Sequence, residues 1–142
     1  MYKRQVVVLD LKAAESCIQR VAGFKEYITE HNGANPNGKI EIVAELPSNG
    51  STEQGFKSAE DALQAHSDLA GIFAINDPSG LGAVQALEKA GKQDQVKIIA
   101  FDGALAGKQA IRDGKIYADP IQFPARIGQQ TIQLIEACLS RQ

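Results

Sequence analysis

Five short runs rich in Val, Ile and Leu, at residues 5–10, 39–46, 71–75, 96–101 and 116–121, are separated by helix-length segments at 13–32, 52–66, 78–90, 104–113 and 125–140. Runs this short and this continuously apolar read as strands buried on both faces. Strands that alternate with helices call for parallel pairing and right-handed crossovers. The expected fold class is therefore α/β, with three layers (α/β/α) around a five-stranded parallel sheet of order 2-1-3-4-5. Pro120 agrees with that order, because a proline removes a ladder donor and so suits a fifth strand at the sheet edge or near its own end.

Each run ends in polar residues at the same relative place: Asp10 after QVVVL, Asn49 after EIVAELPS, Asn76 and Asp77 after GIFAI, Asp102 after KIIAF and Gln122 after YADPI. In an open parallel sheet these ends gather on the carboxyl edge, where such folds bind ligands. That edge is the candidate site.

The helix limits carry their own signals. Ser51 suits the cap of the second helix, with Gln54 three residues on completing a capping box, and Pro78 and Pro124 suit first helical positions. Gly91 and Gly114 each follow a helix and precede a strand, where a left-handed residue commonly ends a helix. The stretch NGANPNG from Asn32 to Gly38 reads as a surface loop.

Composition narrows the function. The 142 residues include 15 basic and 17 acidic ones, a net charge of −2, so the chain lacks the positive field of a nucleic-acid binder or a polybasic membrane anchor. A small neutral or polar ligand is easier to accommodate. The length fits one domain with its own core. The sequence has no leader-like signal peptide and no run of membrane-spanning length, which gives the expectation of a soluble chain that is either a mature product or a piece. Cys17 and Cys138 lie in helical patterns without the spacing of a metal site and read as helix-face residues. His31 and His66 lie near helix C-termini, where a structural role against the dipole is expected. With no serine or cysteine placed beside a histidine, catalysis is not expected, no cofactor is implied, and Asp10 with Asp77 offers at most a weak divalent-cation contact.

Asn76 and Asp77 precede a helix that opens with Pro78, so one of them caps it. Asp77 is the expected cap, which leaves the Asn76 amide free to face the cleft as both donor and acceptor, as a hydroxyl-bearing ligand requires. Asp102, between Phe101 and Gly103, serves equally as a helix cap or a ligand contact. Arg20 reads from periodicity alone as a solvated residue on an amphipathic helix.

The stretch GIFAINDPSGLGAVQALEKAGKQDQVKIIAFDG resembles the second lobe of type I periplasmic sugar-binding proteins, the ribose-binding-like receptors of ABC transporters, and the similarity runs from about Val6 to Leu139. The matching motifs are Arg20, Gly23 and Phe24 in RVAGF, Asn76 and Asp77 in AINDPSGLGA, Asp102 in AFDG, Gly114 in RDGK and Gln122 in YADPIQFP. The resemblance implies ligand roles for Arg20, Asn76, Asp102 and Gln122, with Asp10, Asn49 and Asp77 as further candidates. Planar guanidinium, amide and carboxylate groups can each hold two hydroxyls of a pentose or hexose. Near Asn49 and Gly50, where relatives carry an aromatic that stacks on the sugar, this chain has SNGST.

The resemblance covers the C-terminal lobe alone, so the expected organisation is a flavodoxin-like ligand-binding lobe over 1–122 and a helix over 123–142 that in the family packs on the first lobe. With that lobe missing, the apolar stripe of Ile127, Thr131, Leu134, Ile135 and Cys138 is expected either to fold back on this sheet or to be shared with a second copy in a homodimer. The implied full-length protein is periplasmic, partners an ABC-transporter permease and does not insert into the membrane. Two other classes share the alternation of elements. A receiver or flavodoxin-like signalling domain would need a lysine after the fifth strand and a hydroxyl residue after the fourth, where this chain has Gln122 and Asp102. The effector lobe of a LacI-type regulator shares the ND pair but usually carries Val-Pro before the fourth strand, where this chain has GKQDQ. No DNA-binding headpiece accompanies it.

Overall fold

The computed structural model describes residues 4–140. Its elements run β1 (Arg4–Asp10), α1 (Glu15–Ala34), β2 (Ile40–Pro47), α2 (Thr52–Ala65), β3 (Leu69–Ala74), α3 (Asp77–Ala90), β4 (Lys97–Ile99), α4 (Leu105–Arg112) and α5 (Pro124–Leu139). All strand pairs are parallel, and the sheet has four strands in the order β2-β1-β3-β4.

The fifth strand of the expected order does not form. The chain does run beside β4, where the Tyr117 amide donates to Ile98 O at 2.8 Å, and the Ala100 and Asp102 amides donate to Ala118 O and Pro120 O at 3.0 Å each. Only isolated bridges result, Ile99 to Ala118 and Asp102 to Ile121. Pro120 has no N–H to return, so the ladder is broken where it would have to continue. The segment keeps the fifth place in the order without the pairing of a strand.

Strand side chains alternate between two cores. Val7, Leu9, Ile72, Ala74 and Ile98 face α2, α3 and α4, whereas Val8, Phe73 and Ile75 face α1 through Cys17 and Val21. This period of two follows from the pleat. The α2–α3 seam is tight because it is lined by glycine: a side-chain carbon on Gly82 would lie 2.3 Å from Thr52 O and 2.6 Å from Phe56 N. The second core is closed by α1, with Phe24 stacked on Phe73 at 4.6 Å between ring centroids.

Most helix limits follow the sequence signals. Ser51 caps α2, its Oγ accepting from the Gln54 amide at 3.2 Å, but the Gln54 side chain turns to Ser58 instead of closing the box. Gly91 and Gly114 have φ of 64° and 71° at the ends of α3 and α4. The loop expected from Asn32 begins later, since α1 continues to Ala34, and the Asn32 side chain pairs with both backbone groups of Ile40 at 2.8 Å. His31, in the last turn of α1, approaches Gly38 O, and His66 ends α2.

Helix α5 does not fold back on the sheet. None of its residues is buried, and Ile127, Leu134, Ile135 and Leu139 are 54%, 68%, 49% and 65% exposed. Cys138 is exposed with them, whereas Cys17 is a core residue. No helix among the described residues is long and apolar enough to cross a membrane.

Candidate functional site

β1 pairs with β2 on one side and β3 on the other; the chain leaves β1 through α1 to β2 and returns through α2 across β1 to β3, so the strand order reverses between β1 and β3 and puts a switch point, with its crevice, at their carboxyl ends. Asp10 closes β1, and Ile75 and Asn76 follow β3 at that crevice.

Arg20 reaches the same edge from α1. Its Nη1 donates to Ile75 O at 2.8 Å, its Nη2 lies 3.4 Å from Asp102 Oδ1, and its Cζ stands 4.0 Å from the centre of the Phe101 ring. The side chain is 13% exposed. It is therefore not the solvated residue that helix periodicity suggests: Cys17 and Val21 anchor this face of α1 on the sheet, and Arg20 between them is carried inward. Gln122 completes the group, its Nε2 donating to Asp102 Oδ1 at 2.9 Å. Arg20, Asp102 and Gln122, which are far apart in sequence, thus meet around one carboxylate oxygen. Among the described residues the other Asp102 oxygen and the Gln122 carbonyl have no partner, and the remaining guanidinium hydrogens leave Arg20 further donors for a ligand.

Asp102 has φ of 124°, a region that L residues seldom occupy and that costs about 1–3 kcal/mol. Neighbours on both sides impose it. The Asp102 amide donates to Pro120 O, the Gly103 amide to Asp119 Oδ1 at 3.1 Å, and the Ala104 amide to Asp77 Oδ2 at 2.7 Å. Asp102 does not cap α4, whose N-cap is Ala104.

The roles expected of Asn76 and Asp77 are exchanged. Asn76 is the N-cap of α3, its Oδ1 accepting from the Ser79 amide at 3.0 Å while its Nδ2 donates to Gly50 O at 3.2 Å. Its oxygen and one of its two amide hydrogens are thus engaged by the fold, and one amide hydrogen is left over. Asp77 is the first helical residue, 3% exposed, and binds the start of α4. Either side chain can cap a helix, and the Ala104 amide, twenty-seven residues on, decides between them by engaging Asp77. Ser79 and Ser48, which sequence reasoning passed over, extend the group: Ser79 Oγ lies 2.7 Å from Asn76 Oδ1 and 2.8 Å from Ser48 Oγ, and Ser48 Oγ donates to Asp10 O at 3.0 Å.

Asp10 is 5% exposed, and its Oδ1 accepts from the Leu11 amide at 2.6 Å. Asn49 is exposed, in a left-handed conformation with φ of 50°. Both line a cleft of about 300 Å³ with Lys12, Glu45 and Pro47, beside β1 and β2. Arg20, Asn76, Asp102 and Gln122 do not line it. The polar ends therefore form two adjoining parts, a cleft at Asp10 and Asn49 and a rim at Arg20, Asp102 and Gln122. Asn76 lies between them through its bond to Gly50. Among the described residues no three of His, Cys, Asp and Glu gather to hold a metal ion.

Beneath the rim, burial pushes the Asp77 carboxyl up to about 6 against the pull of the Ala104 amide, with Asp119 and Asp102 adding to the rise. Sequence reasoning did not single out Asp119, although it stands in the YADPI run; its contact with Gly103 joins segments sixteen residues apart.

Comparison with known proteins yields a match to the periplasmic binding protein domain over residues 3–142. The ribose import binding protein of Salmonella typhimurium is 33% identical over 121 residues, 85% of this chain and 38% of that protein. A D-ribose/D-allose-binding protein of Pseudomonas aeruginosa is 36% identical over 108 residues, 76% of this chain and 32% of that protein. Among solved structures, an ABC-transporter solute-binding protein from Actinobacillus succinogenes with bound D-allose superposes with a TM-score of 0.88 at 28% identity, over 99% of this chain and 48% of the other. One from Agrobacterium vitis with bound D-fucose gives 0.82 at 29%, over 99% and 46%. The chain thus spans less than half the length of these relatives.

Proposed function

The chain belongs to the periplasmic binding protein family as a type I sugar-binding member that covers part of the fold, and from this premise we propose that it is a non-catalytic lobe supplying one side of a pentose or hexose site. The observation that carries this reading is the meeting of Arg20, Asp102 and Gln122 at the carboxyl edge of the sheet, each with polar atoms left over for hydroxyls. Asn76 and Asn49 extend the array toward the cleft. Asp77, buried beneath the rim, supports it through the Ala104 amide, and Asp10 lines the cleft beside Asn49. The names of the relatives, ribose import and D-ribose/D-allose binding, support sugar as the ligand class.

In this reading residues 1–122 are the lobe and 123–142 the helix that meets a second body; residues 1–3 and 141–142 of these ranges lie outside the described ones. The exposed stripe of α5 supports the same view, since apolar side chains in that number need a cover. A first lobe of the family's kind or a second copy of this chain is that cover. The full-length protein would work in the periplasm and deliver its sugar to an ABC-transporter permease.

The affinity of one side alone is small. A micromolar ligand is held by about 8 kcal/mol, and half of that corresponds to a dissociation constant of about 1 mM. Titration calorimetry with D-ribose, D-allose and D-fucose should give weak saturable binding in this range, lost in Asp102→Ala. A submicromolar constant for the monomer would overturn the one-sided site, and the absence of saturable binding for every pentose and hexose tried would overturn the sugar reading.

A further inference from the structure

Among the described residues two oxygens near the site have no donor. Asp77 Oδ1 and Asp119 Oδ2 are buried and unpartnered, although the other oxygen of each carboxyl is engaged, Asp77 Oδ2 by the Ala104 amide and Asp119 Oδ1 by the Gly103 amide. They lie close together. A side-chain carbon on Gly107 would be 2.5 Å from Asp119 Oδ2 and from both oxygens of Asp77, so the absence of a side chain there is what admits the pair against α4. Two ionised carboxylates cannot face each other so closely in a buried place; a single proton turns one acceptor into a donor and satisfies both.

We propose that Asp77 and Asp119 share one proton and act as positioning residues, a clamp on the Gly103 and Ala104 amides that holds Asp102 toward Arg20 and Gln122. This rests on the reading of Asp102 as a ligand contact. The clamp supplies what the backbone at Asp102 lacks, since a φ of 124° persists only where neighbours impose it. Its logic is that of adjacent links. The α3 start carries Asp77, the segment after α4 carries Asp119, and the two amides between them belong to the loop that follows β4. Loss of the proton sets two negative charges against each other and loosens that loop.

The surroundings make the clamp sensitive to pH. The charged groups acting on Asp77 are Asp119 from the segment after α4 and Asp102 from the loop after β4, both acidic, while the Ala104 amide comes from the end of that loop, at the N-cap of α4. Arg20, from α1, is turned to Asp102. Burial, with the acidic neighbours adding to it, pushes the Asp77 carboxyl up to about 6.

Amide NMR of the ¹⁵N-labelled chain between pH 4.5 and 8, in buffer stripped of divalent ions, tests this directly. The Asp102, Gly103 and Ala104 resonances should move together in one step centred near pH 6, and Asp119→Asn, whose amide donates permanently to Asp77, should abolish the step. D-ribose titrated at pH 5 and pH 7.5 should bind the native chain about fivefold more weakly at the higher pH, the worth of one net hydrogen bond, and bind Asp119→Asn equally at both. Resonances that stay fixed, or a step that survives in Asp119→Asn, overturn the clamp. Should that variant fail to fold, Asp77→Asn carries the same expectation, and the step in the native chain stands as a test without either. Absence of D-ribose binding at both pH values counts against the ligand reading, while the amide step still decides the clamp.

Discussion

Replacing Asp77 by Asn should flatten the dependence of folding stability on pH. Asp77 is held neutral more readily in the fold than in the open chain, its midpoint raised from 3.8 to about 6. The folded state therefore binds more protons across that window, and the stability this group contributes is complete below about pH 3.8 and disappears as pH rises through about 6. With each pKa unit worth about 1.4 kcal/mol, the contribution at pH 4.5 is about 2 kcal/mol and at pH 7.5 about zero. Asn keeps an oxygen for the Ala104 amide and supplies a donor to Asp119, so its interactions persist at either pH. Urea denaturation followed by circular dichroism at both pH values, for both proteins, isolates the effect from every other titrating group. With a slope of about 2 kcal/mol per molar urea, the native midpoint should fall by about 1 M more than that of Asp77→Asn between pH 4.5 and 7.5. Equal shifts in the two proteins would refute the assignment of a raised, buried carboxyl.

Asn76→Ala removes the cap of α3 and the bond to Gly50 together, and should lower stability by about 1–2 kcal/mol, measured as the urea midpoint, whereas Asn76→Asp, which keeps the capping oxygen, should recover most of the loss. Ile135→Glu on α5 should change the stability of the isolated chain by less than about 0.5 kcal/mol, because the residue is already half exposed, yet should reduce self-association in equilibrium sedimentation at high concentration. A large loss of stability would mean that α5 is packed in solution.

What the sequence made legible was whatever is encoded locally. Continuous apolar runs and their polar ends predicted β1 to β4, their parallel pairing and the edge that carries Arg20's partners, and Gly91 and Ser51 marked helix limits that the structure repeats. What escaped was decided by contacts between distant segments. The exchange of Asn76 and Asp77 turns on Ala104, and the inward position of Arg20 on Ile75 and Phe101. Neither periodicity nor composition registers a carbonyl fifty-five residues away. The fifth strand fails for a reason present in the sequence, since Pro120, an edge signal, also deprives the segment of its own ladder. Asp119 carried no signal of its own, because a carboxyl beside a proline in a strand run acquires its role only once Gly103 and Asp77 are folded against it. Family resemblance groups Arg20, Asp102 and Gln122, and the structure brings the three side chains into contact.

The most direct measurement of the central claim is side-chain NMR of the chain titrated with D-ribose, following the Arg20 guanidinium, the Asn76 and Gln122 amides and the Asp102 carboxyl. The account predicts that these signals shift together, saturate in the millimolar range and leave the exposed face of α5 unmoved. Saturable shifts confined to other surfaces, with Arg20, Asp102 and Gln122 unaffected, would contradict it.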